Sequence, residues 1–461
     1  MIDSTLIRPH SSDAETRSPG GRGTCVVLGL GATGVSCARH LAAAGFSLMV
    51  LDSRTDPPGA ARLRALVPEA RVRTGTLDAE LPADTVQVVL SPGLSPDLPL
   101  IDRAREHGLP VVGDIELFAR AVARPVAAIT GSNGKSTVTT MLAAMAEAAG
   151  QRVLAGGNLG TPALELLDAA LPDLYVLELS SFQLEMTRSL RSAAATVLNV
   201  SADHIDRHGS LDAYAAAKAR IFRGARVAIA NRQDPMVMAM IASHPRTVTF
   251  GLDEPAPGHF GIRGSGDELA LTHGEVALMP AAELGVAGLH NIANALAALA
   301  MGDAIGFTTD AMLAALRRFR GLPHRTQPVA DVAGMQWIDD SKATNVGAAV
   351  AAVSGLPGRL VLIAGGDGKG QGFDLLAETL RGRARAAVLL GRDARRLAEA
   401  LAGVCPVELV DDMPAAVAAA ARLGRPGDTV LLSPACSSLD MFSSYAERGE
   451  AFAAAARGLA R

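Results

Sequence analysis

The clearest pattern of apolar and polar positions lies about a third of the way along the chain. Val126 to Ile129 is an unbroken apolar run that stops at Thr130-Gly131-Ser132-Asn133-Gly134-Lys135-Ser136-Thr137. Beyond it Val138, Met141, Leu142, Met145 and Ala149 recur on one helical face, and Gly150 ends the repeat. This predicts a buried strand, a polar loop and a helix. Two other regions repeat the order. Cys25 to Leu28 leads into Gly29-Leu30-Gly31-Ala32-Thr33-Gly34 and a helical stretch to Ala44, and Arg359 to Ala364 leads into Gly365-Gly366-Asp367-Gly368-Lys369-Gly370.

Between these units the apolar runs are short and end in polar loops. Ser47 to Leu51 stops at Asp52, and Val86 to Leu90 stops at Ser91-Pro92-Gly93. Tyr175 to Leu179 carries a single charge, Glu178, and Thr196 to Ser201 precedes Asp203-His204-Ile205-Asp206-Arg207-His208. Leu211 to Phe222 reads as a helix, 253–285 as short strands and turns, and Gly288 to Asn294 as the opening of an Ala/Leu helix. Thr429 to Leu432 precedes Ser433-Pro434-Ala435-Cys436-Ser437-Ser438-Leu439-Asp440. Strands alternating with helices predict an α/β protein with parallel sheets, whose loops gather at one sheet edge.

Composition narrows the class. The chain has 461 residues, enough for two to four domains. Its 49% hydrophobic content fits globular protein, and a net charge of −4 without a long basic run argues against a nucleic-acid partner. Cys25, Cys37, Cys405 and Cys436 show no metal spacing and suit a reduced, cytoplasmic chain. Residues 1–23 are polar, read as a flexible extension and lack a signal-peptide core. No apolar run is long enough to span a membrane.

The loops suggest chemistry. The stretch 131–137 suits a phosphate cradle: backbone N–H groups and a helix N-terminus for the anion, Lys135 for the outer phosphates, Ser136 or Thr137 for Mg²⁺. Ile129 stands where the strict motif has its first Gly. Gly29 to Gly34 with Asp52 fits NAD, or any diphosphate, including that of a UDP-sugar. Glu178 in a buried strand needs a partner or a metal, and a carboxylate capping a neighbouring loop is its ordinary alternative. His204 beside acids could hold a metal or orient substrate. Lys218 among alanines reads by default as a solvated helix face, whereas a buried lysine could add CO₂ and become an anionic carbamate. Asn291 and Asn294 share a helical face and could read an adenine edge or cap the helix. Lys342, Lys369 and the hydroxyls at 437–438 suit an anionic ligand, and Cys436 reads as a small buried thiol.

In this order TGSNGKST, ELSSFQLE, DHIDRH, GLHNIANALAAL, the His324-Arg325 pair, WIDDSKATN, GGDGKG and SPACSSLD resemble the Mur ligase family from about residue 24 onward. The resemblance implies three domains: a Rossmann-like N-terminal domain (24–115) for a UDP-substrate, a central P-loop ATPase domain (116–321) with a mostly parallel sheet, and a Rossmann-like C-terminal domain (322–461) for glutamate. It places Gly31, Ala32, Thr33, Asp52, Ser53, Arg54, Ser91, Pro92, Gly93, Asn158 and His204 at the UDP-substrate. It places Gly131, Ser132, Asn133, Gly134, Lys135, Ser136, Thr137, Asn291, Asn294, Arg325 and Asp340 at ATP. Lys342, Thr344, Lys369, Ser438, Leu439 and Tyr445 fall at glutamate, although the family more often has Phe near 445. Ser136 and Glu178 match a first Mg²⁺ site and His204 with Lys218, as the carbamate, a second; Lys135, His204 and Lys218 are the implied catalytic set. The implied reaction is ATP-dependent ligation of D-glutamate to UDP-N-acetylmuramoyl-L-alanine through an acyl phosphate, carried out in the cytoplasm by a monomer during peptidoglycan precursor synthesis.

Three rival readings stand beside it. An NAD oxidoreductase leaves 131–137 unexplained. A P-loop switch would hydrolyse ATP without organic substrates. Another ligase of the family would add a different amino acid, but diaminoacid-adding members carry an Asn-Pro loop where this chain has Asp340-Ser341-Lys342-Ala343-Thr344.

Overall fold

The computed structural model describes residues 22–158, 160–286 and 288–459. The predicted extension over 1–23 therefore falls almost wholly outside the described residues. Among those described, three sheets follow one another along the chain.

The first sheet is parallel, in the spatial order Arg71–Thr74, Ser47–Asp52, Thr24–Leu28, Thr85–Leu90, Val111–Val112. The central strand is buried along its length and apolar from Cys25 to Leu28, as a strand covered on both faces must be. The glycine turn after Leu28 is tight: a Cβ on Gly34 would lie 1.8 Å from the Gly29 carbonyl oxygen. Only glycine lets the helix Ala32–Ala43 start there.

The second sheet has nine strands, ordered Val276–Pro280, Ala270–His273, Phe260–Arg263, Thr247–Phe250, Ala228–Asn231, Ala194–Val197, Val126–Thr130, Leu174–Glu178, Val153–Gly157. Its first two pairings are antiparallel and the rest parallel, so the strands expected in 253–285 extend a parallel sheet at one edge. The helix Lys135–Ala148 buries the predicted stripe, with Val138, Met141, Leu142 and Met145 packed among Leu296, Leu299 and Leu316. Each such burial contributes about 1.5–3 kcal/mol. One strand is shorter than its apolar pattern: it ends at Val197, not Ser201. From there the chain brackets the glycine loop, with Asn199 accepting from Asn133 N through its side chain (2.8 Å) and from Ser132 N through its carbonyl (2.9 Å). The expected helix over 211–222 is α-helical to Ala219 and tightens to a 3₁₀ turn over Arg220–Phe222.

The third sheet runs Gln327–Val332, Met335–Asp339, Thr429–Leu432, Leu360–Gly365, Ala384–Leu390, Val407–Leu409, with only its first pairing antiparallel. The α/β class with three mostly parallel units is as expected. One core runs from the first sheet into the second through the helix Asp114–Ala121, whose Phe118 meets Tyr175 edge to face at 5.3 Å. Arg62–Glu165 (3.1 Å) and the Arg39–Asp168 pair tie the same two units. No helix among the described residues is long and apolar enough to cross a membrane.

Candidate active site

The carboxyl ends of the middle and third sheets face each other, and the polar loops read from the sequence meet there. Gly134 caps the helix Lys135–Ala148 with φ of 84°, and a Cβ on it would reach within 2.4 Å of Asn294 Oδ1. The loop thus needs glycine for its backbone and for the close seat of Asn294. Lys135 folds back and donates to the carbonyls of Gly131 (2.9 Å) and Ser132 (3.0 Å). Burial lowers its ammonium pKa, while Glu178 and Asp203 pull the other way.

Lys218 converges on the same point. Its Nζ donates to the Gly131 carbonyl at 2.8 Å and lies 3.4 Å from Thr130 Oγ1. The side chain is 1% exposed, which overturns the solvated-face reading. The helix Leu211–Ala219, capped by Ser210, turns Tyr214 and Lys218 inward one turn apart, with Nζ 4.4 Å above the tyrosine ring. Burial, and then the charge of Lys135, hold this amine well below the ordinary lysine range. A lysine so placed readily gives up its proton and becomes a nucleophile.

Glu178 ends its strand fully enclosed. Asn158 Nδ2 donates to Oε1 at 2.7 Å, while Oε2 is buried without a hydrogen-bond partner. Ser136 Oγ accepts from Arg325 of the third domain at 3.1 Å. His204 sits at φ of 53°, and burial lowers its pKa against the pull of Asp203, which favours a neutral ring able to bind a cation. An orphaned carboxylate oxygen, a hydroxyl and a neutral imidazole suit Mg²⁺ once phosphate oxygens complete its shell. Among the described residues no three His, Cys, Asp or Glu side chains form a metal site by themselves.

A cavity of about 770 Å³ adjoins the loop, lined by Asn133, Asn291, Asn294, Arg325, Asp340 and Lys342 among others. Burial pushes the Asp340 carboxyl up to about 7 although Ser433 Oγ donates to it at 2.8 Å. Burial and then Arg325 push Lys342 down to about 8, and its Nζ lies 3.7 Å from the centre of the Tyr445 ring. Lys369 reaches Asp203 at 3.4 Å, Ser438 is buried, Thr344 is half-buried, and Leu439 is exposed.

The first domain's residues line a separate edge. Gly31, Ala32 and Thr33 open the helix after the glycine turn, with no atom near a Cβ built on Gly31. Asp52 is engaged internally: Oδ2 accepts from Leu30 N (2.7 Å) and Arg54 Nη2 (2.7 Å), and Oδ1 from Arg54 Nε (2.9 Å). These bonds hold its carboxyl down at about 2. Its carboxylate braces the turn and leaves Ser53 and Arg54 as the exposed groups, which weakens the case for a ribose-binding NAD acid. The Ser91–Gly93 loop connects to the middle domain through Leu94, whose carbonyl accepts from Arg207 at 3.4 Å. Asn158, by contrast, is gathered with Glu178 in the middle domain.

Pattern reading missed several supports. Arg448, 2% exposed, donates to Ser341 Oγ (2.9 Å) and to the carbonyls of Ser341 (2.8 Å), Cys436 (3.1 Å) and Gly365 (3.5 Å), pinning three loops of the third domain. His208 lies between Ser181 Oγ (3.0 Å) and Glu185 Oε1 (3.3 Å) and stacks on Phe182, which also meets His204 edge to face. Neither role is legible in the sequence: Arg448 sits between Glu447 and Glu450, which would suit an exposed helix face equally well.

A P-loop fold whose glycine loop is met by an arginine from a following α/β domain defines a class of three-domain, nucleotide-dependent enzymes. The sequence profile of the MurD-like Mur ligase N-terminal domain matches residues 23–113, that of the Mur ligase middle domain 129–302, and that of the Mur ligase glutamate ligase domain 324–436. The chain belongs to the Mur ligase family. It is similar to the UDP-N-acetylmuramoylalanine–D-glutamate ligases of Nitrosococcus oceani (53% identical, covering 94% of this chain and 96% of that one) and Methylococcus capsulatus (50%, 95% and 95%). In fold it resembles the UDP-N-acetylmuramate-alanine ligase of Thermotoga maritima (TM-score 0.60, 19% identical, 95% and 99% covered) and MurF of Acinetobacter baumannii (0.59, 18%, 90% and 91%).

Proposed function

We infer that this chain is an ATP-dependent ligase that joins D-glutamate to UDP-N-acetylmuramoyl-L-alanine, giving ADP and phosphate, in peptidoglycan precursor synthesis. The observation that carries this reading is its likeness, at about half identity over nearly its whole length, to ligases named for that reaction. The convergence of Lys135, Lys218, Glu178 and Arg325 on one loop agrees with it. We assign the UDP-substrate to 24–115, ATP to 116–321 and glutamate to 322–461. One chain supplies all three parts, so we take a monomer as the working form and the cytoplasm, where nucleotide precursors are made, as its place.

In this reading the loop 131–137 cradles the phosphates, with Asn291, Asn294 and Asp340 toward the nucleoside. Two Mg²⁺ ions, held by Ser136 with Glu178 and by His204 with a carbamate of Lys218, would supply charge neutralisation at the phosphates. The carbamate forms when the neutral Lys218 amine adds CO₂: one N–C bond forms and one proton leaves. Lys135 and Arg325 draw off negative charge while the L-alanyl carboxylate attacks the γ-phosphoryl group and ADP departs. Lys342, Thr344, Lys369, Ser438, Leu439 and Tyr445 hold glutamate so that its amine attacks the acyl phosphate. Phosphate then leaves and the amide remains. Closing the third domain on the middle one excludes the water that would hydrolyse the acyl phosphate.

The test is phosphate release with ATP, Mg²⁺ and UDP-N-acetylmuramoyl-L-alanine, comparing D-glutamate, L-glutamate, diaminopimelate and no amino acid. Release only with D-glutamate, with the matching mass gain in product, is expected. Release without either organic substrate would refute ligation.

A further inference from the structure

The middle and third domains meet at one buried amide. Asn345 follows Thr344 and is 3% exposed. Its Oδ1 accepts from Ala348 N at 2.8 Å and so caps the helix Val346–Gly355. A cap needs nothing more of the side chain. Yet both amide protons are also used, and both cross to the other domain: Nδ2 lies 3.1 Å from Asn133 Oδ1 and 3.2 Å from Asp203 Oδ2. Asn133 belongs to the glycine loop, and Asp203 precedes His204, whose backbone N–H donates to Asp203 Oδ1 at 3.0 Å. Lys369 approaches that same oxygen at 3.4 Å. The backbone fits equally closely: a Cβ on Gly347 would lie 3.0 Å from Ser201 Oγ and 3.3 Å from Asn133 Nδ2.

We propose that Asn345 is a positioning residue that latches the third domain onto the glycine loop and the His204 turn, setting the register in which glutamate meets the activated carboxylate. This rests on the ligase reading above. Asparagine alone meets the three demands. Serine, threonine and aspartate cap a helix as well but lack the two donors, and glutamine is too long to cap its own helix. The latch touches no reacting atom. It acts by holding two loops at one distance, and displacements of about 1 Å there are costly to turnover.

The test uses the full chain and two variants that keep the cap, Asn345→Ser and Asn345→Asp. Phosphate release gives kcat and KM for each substrate. Small-angle X-ray scattering, with and without Mg²⁺, a non-hydrolysable ATP analogue and the UDP-substrate, reads domain closure without turnover. We expect kcat/KM for D-glutamate to fall about tenfold in Asn345→Ser and about a hundredfold in Asn345→Asp, whose carboxylate faces Asp203. KM for the UDP-substrate stays within about twofold, and neither variant contracts on ligand addition as the parent does. A residue that only caps predicts Asn345→Asp equal to the parent in turnover and in contraction, and that result overturns the latch. If Asn345→Ser does not fold, Asn345→Asp, similar in shape and as good a cap, decides alone. A parent that ligates no D-glutamate but contracts where Asn345→Asp does not would fail the reaction assignment and sustain the latch.

Discussion

Lys218→Met separates what this lysine does for chemistry from what it costs the fold. Met keeps most of the apolar stem against Tyr214 and removes the amine. No acceptor is orphaned: the Gly131 carbonyl still receives Lys135 at 2.9 Å, and Thr130 Oγ1 still donates to the Leu179 carbonyl at 2.7 Å. The loss is one short hydrogen bond from a neutral amine, about 0.5–1.5 kcal/mol. The gain is the cost of discharging and burying the amine, which Met does not bear, about a few kcal/mol. The balance favours Met by on the order of 1 kcal/mol, or roughly 2–4 °C for a unit of this size. The sign with pH follows from the lowered amine pKa. Between that folded value and the unfolded value of about 10.4 the unfolded chain binds more protons, so the parent gains stability as pH rises. Met does not, so the gap between the two must shrink from pH 7 towards pH 10. Thermal melts in CO₂-free buffer without Mg²⁺ measure this, and phosphate release should be lost in the same variant. A variant that melts below its parent, or a gap constant with pH, would refute the idea of an uncompensated buried amine.

Three further outcomes are expected. Lys135→Ala abolishes turnover, and near-normal phosphate release would remove Lys135 from the mechanism. Glu178→Gln, which keeps the Asn158 contact but neutralises the orphaned oxygen, should cut activity by about a hundredfold or more and raise the Mg²⁺ needed for half-activity; a magnesium titration of phosphate release superimposable on the parent's counts against a cation at Glu178. Arg448→Lys loses the fork that serves Ser341, Cys436 and Gly365, so a loss of about 2–4 kcal/mol by denaturant unfolding and a several-fold higher KM for D-glutamate are expected; an unchanged KM would confine Arg448 to stability.

The strands and loops were legible because apolar runs ending in glycine leave little choice of structure. By pattern alone Lys218 was not, because its alanine-rich helix does not mark which face is buried; only the family resemblance put it at the site. The docking of that helix beside Thr130 and Gly131 supplies the physical reason. Asp52 occupies the expected strand end, yet its role depends on Leu30 N and the Arg54 fork, which no spacing rule reports. Asn345 and Asp203 stood in recognised motifs, but their partners lie in another domain, 212 and 142 positions away along the chain from Asn345 in the two contacts. Arg448 serves carbonyl oxygens, which leave no trace in the identity of the residues that own them.

The cations gathered at one glycine loop have a consequence for inhibitors. Lys135 folds onto the Gly131 oxygen beside the neutral Lys218 amine, Arg325 donates to Ser136 and Lys369 reaches Asp203, while Glu178 is held by Asn158 on one side. A molecule approaching this spot is therefore sorted by charge before shape. Compact dianions are drawn in, and a protonated amine, however well it fits, meets repulsion. Fragment libraries rich in basic amines should return few hits here, and phosphonates or dicarboxylates should be over-represented among those that bind.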